Sequence, residues 1–438
     1  MRAIRAELVW EQGAFERDRC VIVDGARIAD VVRPRRVRRG IEVEDWGHVA
    51  LVPGTVNAHG HAFQSLFRGL GDDRSFESWR DDVLYPLAES LGGDDIYAGA
   101  VFAFTEALLA GITTTVDFFY MHDGGNSNAE RVVQAAHDVG IRLVLARAFY
   151  DPDAPTKAPR RFRENVDDAV SRCRDLAAAL AGDPLIAVQP APHSLHAAAP
   201  ETIGAALDLA RELDTPCHLH VAEAAYEVEL IRERYGTTPV RLLQREGLLD
   251  ERLIAVHAVW VDDEELDMLA EARCRVVHCP GANAFLGDGV ARVTEMLERG
   301  LQVGLGPDGG CANNRQSVFD EMRTASLFAK ARLLDGGALD APTVFTMGTK
   351  TGADLLGLDT GAIQAGLYAD LVALDLDDPS LHPLATVERN IVHSMQSTAI
   401  ARVMAGGEVV VDGGLPTRLE LAEVLALVEA TTSGWTRP

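Results

Sequence analysis

The chain has 438 residues, of which 47% are apolar and 24% charged, and this balance excludes a mainly disordered or collagen-like protein. Its formal net charge of −25 excludes electrostatic attraction to nucleic acid and to anionic membranes, so neither is expected as a partner. No apolar run reaches ~18 residues, the length that a membrane-spanning helix needs, so no membrane span is predicted.

The first residues and the cysteines bear on the cellular compartment. The opening segment MRAIRAELVWEQG carries charges where an export signal requires an apolar stretch, so no export signal is predicted. The six cysteines form no C-x-x-C pair and no closely spaced framework, which favours reduced thiols over disulfides. Both observations predict a cytoplasmic protein.

Short β-type runs separated by turns occupy both ends of the chain. Residues 1–52 contain AIRAELVW, CVIVDG and HVALV, and residues 364–438 contain ADLVALDL and ARVMAGGEVVVDGG. Because the termini of a domain usually lie close together, we predict that the two segments form one small β-sandwich domain, with a C-terminal tail after the second.

The segment between them, residues 53–363, alternates apolar runs with amphipathic, helix-like segments such as PETIGAALDLARELD. The apolar runs number eight, at 51–61, 112–120, 141–149, 185–193, 216–223, 253–260, 274–283 and 301–310. Eight parallel strands with helices between them predict an α/β fold, a (β/α)8 barrel. A doubly wound sheet alternates in the same way, but eight units over ~260 residues fit the barrel better.

Polar side chains stand at the ends of these runs. In a (β/α)8 barrel the active site is built from the carboxyl ends of the strands, so residues at the run ends should converge on one mouth. The residues concerned are His59, His61, His193, His220, Glu223, His257 and Asp308.

Four of these residues are candidate metal ligands. His59 and His61 are two positions apart and point to the same face of a strand, where two imidazoles can share an ion. His220 shares a face with His218, so one of that pair can belong to the core, and Asp308 lies in a P-D-G sequence that is also typical of a turn. Imidazole and carboxylate together suit zinc, and also iron or manganese.

The motifs around these positions resemble those of the amidohydrolase superfamily, in its branch of deaminases and triazine hydrolases. They are PGTVNAHGHAFQ, HLHVAE, VHAVW, VVHCPGAN, GLGPDGGCANN and, near the end, GAIQAGLYADLVALD. The resemblance covers nearly the whole chain. It implies a (β/α)8 TIM barrel with a composite β-sandwich from both termini, and it suggests a homodimer without identifying an interface.

The resemblance also implies the active-site assignments. One divalent metal ion, zinc or alternatively iron, would bind His59, His61, His220 and Asp308. Two-metal members of the superfamily usually carry a lysine on the fourth strand, whereas here that strand ends in VQPAPH without one, so a single ion is expected.

The implied chemistry is hydrolysis of a C–N bond in a small polar substrate. The metal lowers the pKa of a bound water toward ~7. Asp308 would take a proton from that water, Glu223 would protonate the substrate nitrogen and the departing ammonia, and His257 would stabilise the oxygen of the tetrahedral intermediate. Triazine hydrolases show that the leaving group can differ from ammonia.

Two substrate classes remain open. The stretches HAFQSLFRGL, SFESWRDD and APHSLHAAAP are similar to formimidoylglutamate deiminase, in which the residues matching Gln64, Arg80, Tyr120 and His193 contact the amino-acid end of the substrate. His196 stands where that family has an arginine, and this replacement removes a bidentate carboxylate clamp. The motif GPDGGCANN instead resembles deaminases of purine, pterin and S-adenosylhomocysteine type.

Trp260 and the enzyme class each leave one further alternative open. Trp260 replaces the second histidine of the H-x-x-H motif found in many relatives, so it either binds substrate or packs under the barrel mouth. The superfamily also contains catalytically silent relatives that serve as structural proteins. These typically lose ligands, whereas this chain keeps a complete set, which favours an enzyme.

Overall fold

The computed structural model describes residues 1–435 and contains one barrel and one large mixed sheet. The strands, in chain order, are β1 (Arg2–Glu11), β2 (Ala14–Asp24), β3 (Arg27–Val32), β4 (Glu42–Asp45), β5 (Val49–Pro53), β6 (Thr55–Asn57), β7 (Ile112–Phe119), β8 (Arg142–Phe149), β9 (Ile186–Pro192), β10 (Cys217–Val221), β11 (Leu253–His257), β12 (Arg275–His278), β13 (Gln302–Leu305), β14 (Leu371–Asp375), β15 (Ile400–Ala405), β16 (Glu408–Asp412) and β17 (Leu415–Pro416).

The α-helices mostly alternate with the barrel strands. In chain order they are α1 (Phe76–Ser78), α2 (Tyr85–Ser90), α3 (Gly93–Leu109), α4 (Ser127–Val139), α5 (Val166–Ala179), α6 (Pro200–Leu213), α7 (Ala225–Tyr235), α8 (Pro239–Arg245), α9 (Asp263–Glu271), α10 (Pro280–Phe285), α11 (Val293–Glu298), α12 (Val318–Leu333), α13 (Ala341–Thr346), α14 (Gly352–Leu355), α15 (Val387–His393) and α16 (Leu421–Thr432). In the described part of the chain, none of the helices combines the length and apolar character that crossing a membrane requires.

Strands β6 to β13 form the barrel. Neighbouring strands pair in parallel from β6 to β9 and from β10 to β13. Backbone hydrogen bonds close the ring at both gaps, from His220 N to His193 O (3.1 Å) and from Ala58 N to Leu305 O (2.9 Å). Each of the eight predicted runs contains one of these strands, so the predicted barrel is confirmed.

Burial explains why the barrel strands read as continuous apolar runs. All eight residues of β7 and of β8 are buried, on the faces toward the barrel axis and toward the outer helices alike. Parallel strands covered on both faces need apolar residues throughout, whereas an antiparallel strand with one wet face alternates.

The second sheet takes strands from both ends of the chain. Its order is β17-β16-β15-β14-β5-β1-β2-β3, with β4 pairing to β1. The two ends meet where β14 pairs with β5 in antiparallel register, placing Leu371 opposite Pro53. The composite sheet domain is therefore confirmed, and boundaries at residues 52 and 363 stay a prediction. The helix α15, from the C-terminal segment, packs on α12 and α13.

The segment between β6 and α3 positions side chains over the barrel mouth. It contains a 3-10 helix at Ala62–Phe67, a π-helical turn at Trp79–Leu84 and the short helices α1 and α2. It supplies several walls of the pocket described below. The six cysteines are all buried and unpaired, as predicted for reduced thiols.

Candidate active site

The structure brings the four predicted metal ligands together at the carboxyl end of the barrel. Nitrogen atoms of His59, His61 and His220 lie within 4.8 Å of one another. One carboxylate oxygen of Asp308, Oδ1, lies 3.5 Å from Nε2 of both His59 and His61. All four side chains are almost completely buried. The first, fifth and eighth barrel strands therefore deliver three imidazoles and a carboxylate to one point.

The hydrogen bonds of two of these imidazoles occupy Nδ1 and leave the lone pair of Nε2 directed at the centre of the cluster. Nδ1 of His61 donates to Phe118 O (2.7 Å), and Nδ1 of His220 donates to His193 O (2.8 Å). Each ring therefore keeps Nε2 free of hydrogen as a ligand atom. Both ring nitrogens of His59 are buried without a hydrogen-bond partner in the described chain. Carbonyl-oriented imidazoles with a carboxylate are a donor set that fits one divalent ion.

His218 and His220 can now be distinguished. Nε2 of His218 hydrogen-bonds to Oε1 of Gln189 (2.7 Å), below the cluster in the barrel interior. Gln189 in turn donates to Leu356 O (2.9 Å), so His218 belongs to a buried polar network. His218 is therefore the core member of the pair, and His220 is the ligand candidate.

The backbone at the strand ends adopts the left-handed region without glycine. The φ angle is +65° at Asp308, +72° at His257 and +51° at Ala222. Such conformations are costly and persist where the surroundings hold them, commonly at functional sites. At Asp308 the backbone is held on both sides, since its N–H donates to His59 O (3.1 Å) and its carbonyl accepts from Gln316 Nε2 (3.0 Å).

Glu223 and His257 lie beside the cluster. Oε1 of Glu223 is 3.5 Å from Nε2 of His257. Burial, followed by the charges of Asp288 and Asp308, raises the pKa of Glu223 well above its ordinary value. A carboxyl that holds its proton near neutral pH can act as a general acid.

A pocket that is partly open to solvent leads to the cluster. His61, His220, Glu223 and Asp308 form its floor side, and five of the six predicted substrate-binding residues line it: Gln64, Arg80, Tyr120, His193 and His196. The sequence did not single out the other aromatic walls, namely Phe76, Trp79, Tyr85, Tyr150, Phe162 and Tyr226. Their signal is weak because aromatic residues in SFESWRDDVLYPL read equally well as core.

The polar groups of the pocket are already partnered within it. Gln64 Nε2 donates to the hydroxyl of Tyr120 (3.0 Å). Arg80 donates from Nη1 to the Tyr226 hydroxyl (3.0 Å) and from Nε to Asp81 (2.7 Å). The guanidinium is thus fixed against the wall with a neighbouring counter-charge.

The two histidines on the opposite wall form a hydrogen-bonded chain. Ser194 Oγ lies 3.0 Å from Nδ1 of His193 and 3.0 Å from Nδ1 of His196. Burial, with a smaller effect of the nearby Arg80 charge, lowers the pKa of His196 to about 3. His196 is therefore neutral and supplies no positive charge to the pocket.

The structure does not bring the sixth predicted residue, Trp260, into the pocket. Its side chain is 48% exposed, and its Nε1 donates to Asp288 O (2.7 Å). The indole thus packs on the loop after α10. Of the two roles predicted for Trp260, substrate binding and packing, this position favours packing. The preceding helix, α10, carries the amide of Asn283, which contacts His257 Nδ1 (3.1 Å). The sequence pattern singles out neither Asn283 nor Asp288.

Comparison with known proteins supports one family. Residues 50–410 match the model of the Amidohydrolase family. Over 414 residues, 94% of each chain, the sequence is 35% identical to 5'-deoxyadenosine deaminase of Methanothermobacter thermautotrophicus. It is 31% identical over 410 residues to a 5-methylthioadenosine/S-adenosylhomocysteine deaminase of Carboxydothermus hydrogenoformans, covering 93% of this chain and 91% of that protein.

Solved structures show the same fold along the whole chain. An adenosine deaminase from Xanthomonas campestris with bound zinc superposes with a TM-score of 0.91 at 28% identity, covering 98% of this chain and 97% of that one. A zinc complex of atrazine chlorohydrolase from Arthrobacter aurescens also gives 0.91, at 25% identity over 98% and 100% of the two chains.

Proposed function

This chain is a hydrolase of the amidohydrolase family, and we propose that it deaminates the adenine ring of a nucleoside-type substrate, releasing ammonia. The observation that carries the proposal is an aromatic pocket that opens on both the His/Asp cluster and Glu223, whose pKa burial and nearby carboxylates raise. An aromatic pocket suits a flat heterocycle, and the relatives reported above are named as nucleoside deaminases.

We propose that the cluster holds one divalent ion, zinc in preference to iron. The ligands would be His59, His61, His220 and Asp308, and two solved neighbours carry zinc. The chain's three lysines all have other partners, since Lys157 contacts Asp81, Lys330 contacts Ser326 and Lys350 contacts Asp354. This supports a single ion over a pair bridged by a modified lysine. When bound, the ion would lower the pKa of a water toward neutrality.

The protein groups would then divide the proton transfers. Asp308 accepts a proton from the attacking water, and the oxygen bonds to the carbon that carries the exocyclic amine. Glu223 gives its proton to the adjacent ring nitrogen, and its carboxylate then takes the remaining proton of the added oxygen and passes it to the amine. The C–N bond breaks and ammonia leaves. The proton held by Asp308 returns to Glu223 after the product leaves. His257 donates a hydrogen bond to the oxygen as negative charge develops on it.

The acidic alternative, formimidoylglutamate, retains one favourable observation. Arg80 places a guanidinium in the pocket wall, where it could meet a substrate carboxylate. However, Asp81 already offsets that charge, and the neutral His196 stands where the corresponding family has its arginine. The nucleoside is therefore the first candidate.

An ammonia-release assay tests the substrate class. The panel comprises adenosine, 5'-deoxyadenosine, 5'-methylthioadenosine and S-adenosylhomocysteine, with formimidoylglutamate and a pterin as competing classes. We expect the highest kcat/KM on one of the nucleosides, with a matching change in the ultraviolet spectrum of the purine. Ammonia from formimidoylglutamate alone would overturn the nucleoside assignment, and ammonia from none of them would overturn both.

Metal analysis tests the ion independently of the substrate. Protein purified without chelators should contain one divalent ion per chain by elemental analysis. His59→Ala should lose it, whereas His48→Ala, an exposed histidine paired with Asp377, should retain it. Metal-free wild type, or two ions per chain, would contradict the proposal. The homodimer suggested by sequence resemblance stays a prediction.

A further inference from the structure

The buried amide of Asn283 contacts His257, the histidine that the proposed mechanism assigns to the developing oxygen. Asn283 sits in α10, on the loop after the seventh barrel strand, and is completely buried. Its Nδ2 lies 3.1 Å from Nδ1 of His257 and 3.3 Å from Oδ2 of Asp288. The other ring nitrogen of His257, Nε2, points to Glu223 at 3.5 Å. The ring is thus contacted at Nδ1 by Asn283 and at Nε2 by Glu223, and Glu223 in turn lines the pocket.

We propose that Asn283 is a positioning residue that fixes His257 as the tautomer with hydrogen on Nε2. An amide nitrogen only donates, so Nδ1 must accept. A neutral imidazole has one donor and one acceptor, which leaves its single hydrogen on Nε2. The inference rests on the proposed function in one respect, since it makes His257 the donor that stabilises the developing oxygen.

The surroundings explain why the amide nitrogen, and not the amide oxygen, faces the ring. The orientation of an asparagine amide is settled by its hydrogen-bond network. Oδ2 of Asp288 lies 3.3 Å from Nδ2, and although burial raises the pKa of this carboxyl to about 7, its ionised form attracts Nδ2 and would repel Oδ1. Oδ1 of Asn283 is buried with no partner in the described chain, a cost that the two contacts of Nδ2 must offset. The contacts of the nitrogen therefore determine how this side chain lies.

Asp288 is itself held in place. Its backbone N–H donates to Asn283 O (2.8 Å), and its backbone carbonyl accepts from Nε1 of Trp260 (2.7 Å). Trp260 lies in the loop after the strand that ends at His257. His257 and the groups that orient it thus lie at the ends of two neighbouring strands and in the segments that follow them. Hydrogen bonds link four residues there: His257, Asn283, Asp288 and Trp260.

The substitution Asn283→Asp tests the tautomer because it is nearly isosteric and places an acceptor against Nδ1. The ring hydrogen should move to Nδ1, and a lone pair should then face the developing oxygen. We expect kcat to fall by roughly 10² to 10³-fold, the usual loss for an oxyanion donor, with little change in KM. Asn128→Asp, at a buried asparagine that contacts Asp123 away from the site, is the matched control and should keep kcat.

A double variant separates the effect of the His257 tautomer from that of repulsion between carboxylates at positions 283 and 288. Asn283→Asp alone places two carboxylates side by side, which can lower stability. In Asn283→Asp/Asp288→Asn the amide and the carboxylate exchange places, so the repulsion is removed while the acceptor at Nδ1 remains. The proposal expects the double variant to regain its melting temperature but not its kcat. Recovery of kcat would overturn it, and Asp288→Asn alone measures the effect of losing that carboxylate.

The tautomer can also be read without any substrate. In protein labelled with ¹⁵N-histidine, with His257→Gln to assign the signal, Nδ1 of His257 should show the shift of a bare nitrogen and Nε2 that of a protonated one. Asn283→Asp should exchange the two. A protonated Nδ1 in the wild type would overturn the proposal. Because this readout needs no turnover, failure of the tautomer and failure of the proposed reaction are distinguishable.

Discussion

Glu223 combines three features that a proton-transferring residue needs. It lines the pocket, it lies 3.5 Å from His257, and burial with neighbouring carboxylates raises its pKa well above the ordinary value. Its backbone N–H is fixed by Oε2 of Glu227 (2.9 Å), which limits movement of the strand end. The raised pKa favours the protonated form of Glu223, and the backbone contact holds the strand end that carries it.

We expect Glu223→Gln to retain fold and metal but lose turnover. Glutamine keeps the shape of the side chain and cannot deliver and recover a proton, so kcat should fall by ~10² to 10⁴-fold. Steady-state ammonia release measures the loss, with melting temperature and metal content as controls. Turnover close to that of the wild type would assign the proton transfer to another group.

Glu227 predicts a pH dependence of stability. The side chain is 2% exposed, and burial raises its pKa to about 7 from 4.5, although backbone N–H groups oppose the rise. In the folded protein the carboxyl thus keeps its proton to a higher pH than in the unfolded chain. Its contribution to stability is complete below about pH 4.5 and is lost as the pH rises through about 7.

The substitution Glu227→Gln should remove that loss. The free energy of unfolding of the variant, relative to wild type, should rise between about pH 5 and about pH 9 by up to roughly 3 kcal/mol. Urea unfolding across this range measures it. Glu229→Gln, at a carboxyl 63% exposed on the same helix, should show no such trend. Parallel curves for Glu227→Gln and wild type would show that the buried carboxyl does not control this pH dependence.

The convergence of the four proposed metal ligands could be predicted from the sequence, whereas the contact that Asn283 makes with His257 could not. His59, His61, His220 and Asp308 each end an apolar run, and the barrel geometry brings run ends together. The contact of Asn283 with His257 joins residues 26 positions apart in the sequence, on different strand-end loops. Asparagine after a strand is equally typical of a turn, so its sequence position carries no separate signal.

At the scale of elements, the barrel closes between its first and last strands by close backbone approach. A Cβ atom added at Gly306, just after β13, would lie 2.7 Å from His59 O and 2.8 Å from His59 N. Those atoms belong to the backbone of a proposed ligand and cannot move as a flexible side chain can. The glycine therefore sets the distance between the two strands that supply three of the four proposed ligands.

We expect Gly306→Ala to separate these strands and disturb the metal site. Overpacking of this kind typically costs about 1–3 kcal/mol, and here the displaced atoms carry His59, so metal content should fall as well. Thermal unfolding and elemental analysis measure the two effects. Gly336→Ala, where an added Cβ meets nothing within 4 Å, is the control and should leave both unchanged. Full metal content in Gly306→Ala would show that the closure tolerates the methyl group.

The strands of the barrel were easier to predict than the cover of its mouth. Each strand is a short apolar run with polar residues at its carboxyl end, so composition alone marks it. The cover, between β6 and α3, is built from a 3-10 helix, a π-helical turn and helices of three and six residues. None of these is long enough for a hydrophobic period, and residues such as Trp79 and Tyr85 enter the pocket only through tertiary packing.

At the scale of the whole molecule, a buried ion pair joins the barrel to the second sheet. Arg142 begins β8 of the barrel, and Asp370 directly precedes β14 of the sheet. Nε of Arg142 lies 3.2 Å from Oδ2 of Asp370, and the two side chains are 4% and 0% exposed. Asp370 also accepts from Thr360 Oγ1 (2.6 Å) and from Gly406 N (2.6 Å), so the carboxylate ties together three segments.

We expect Arg142→Met to destabilise the whole chain because it leaves the Asp370 carboxylate buried without its counter-charge. Breaking one side of a buried pair typically costs about 3–5 kcal/mol, whereas an exposed pair is worth at most about 1 kcal/mol. Arg174→Met is the matched control, since Arg174 pairs with Glu212 at side-chain exposures of 43% and 50%. Urea unfolding measures both variants, and Arg142→Met/Asp370→Asn should recover part of the loss by removing the unpaired charge. Equal costs for the two single variants would show that burial adds nothing to the pair, and that contacts other than this one hold the sheet against the barrel.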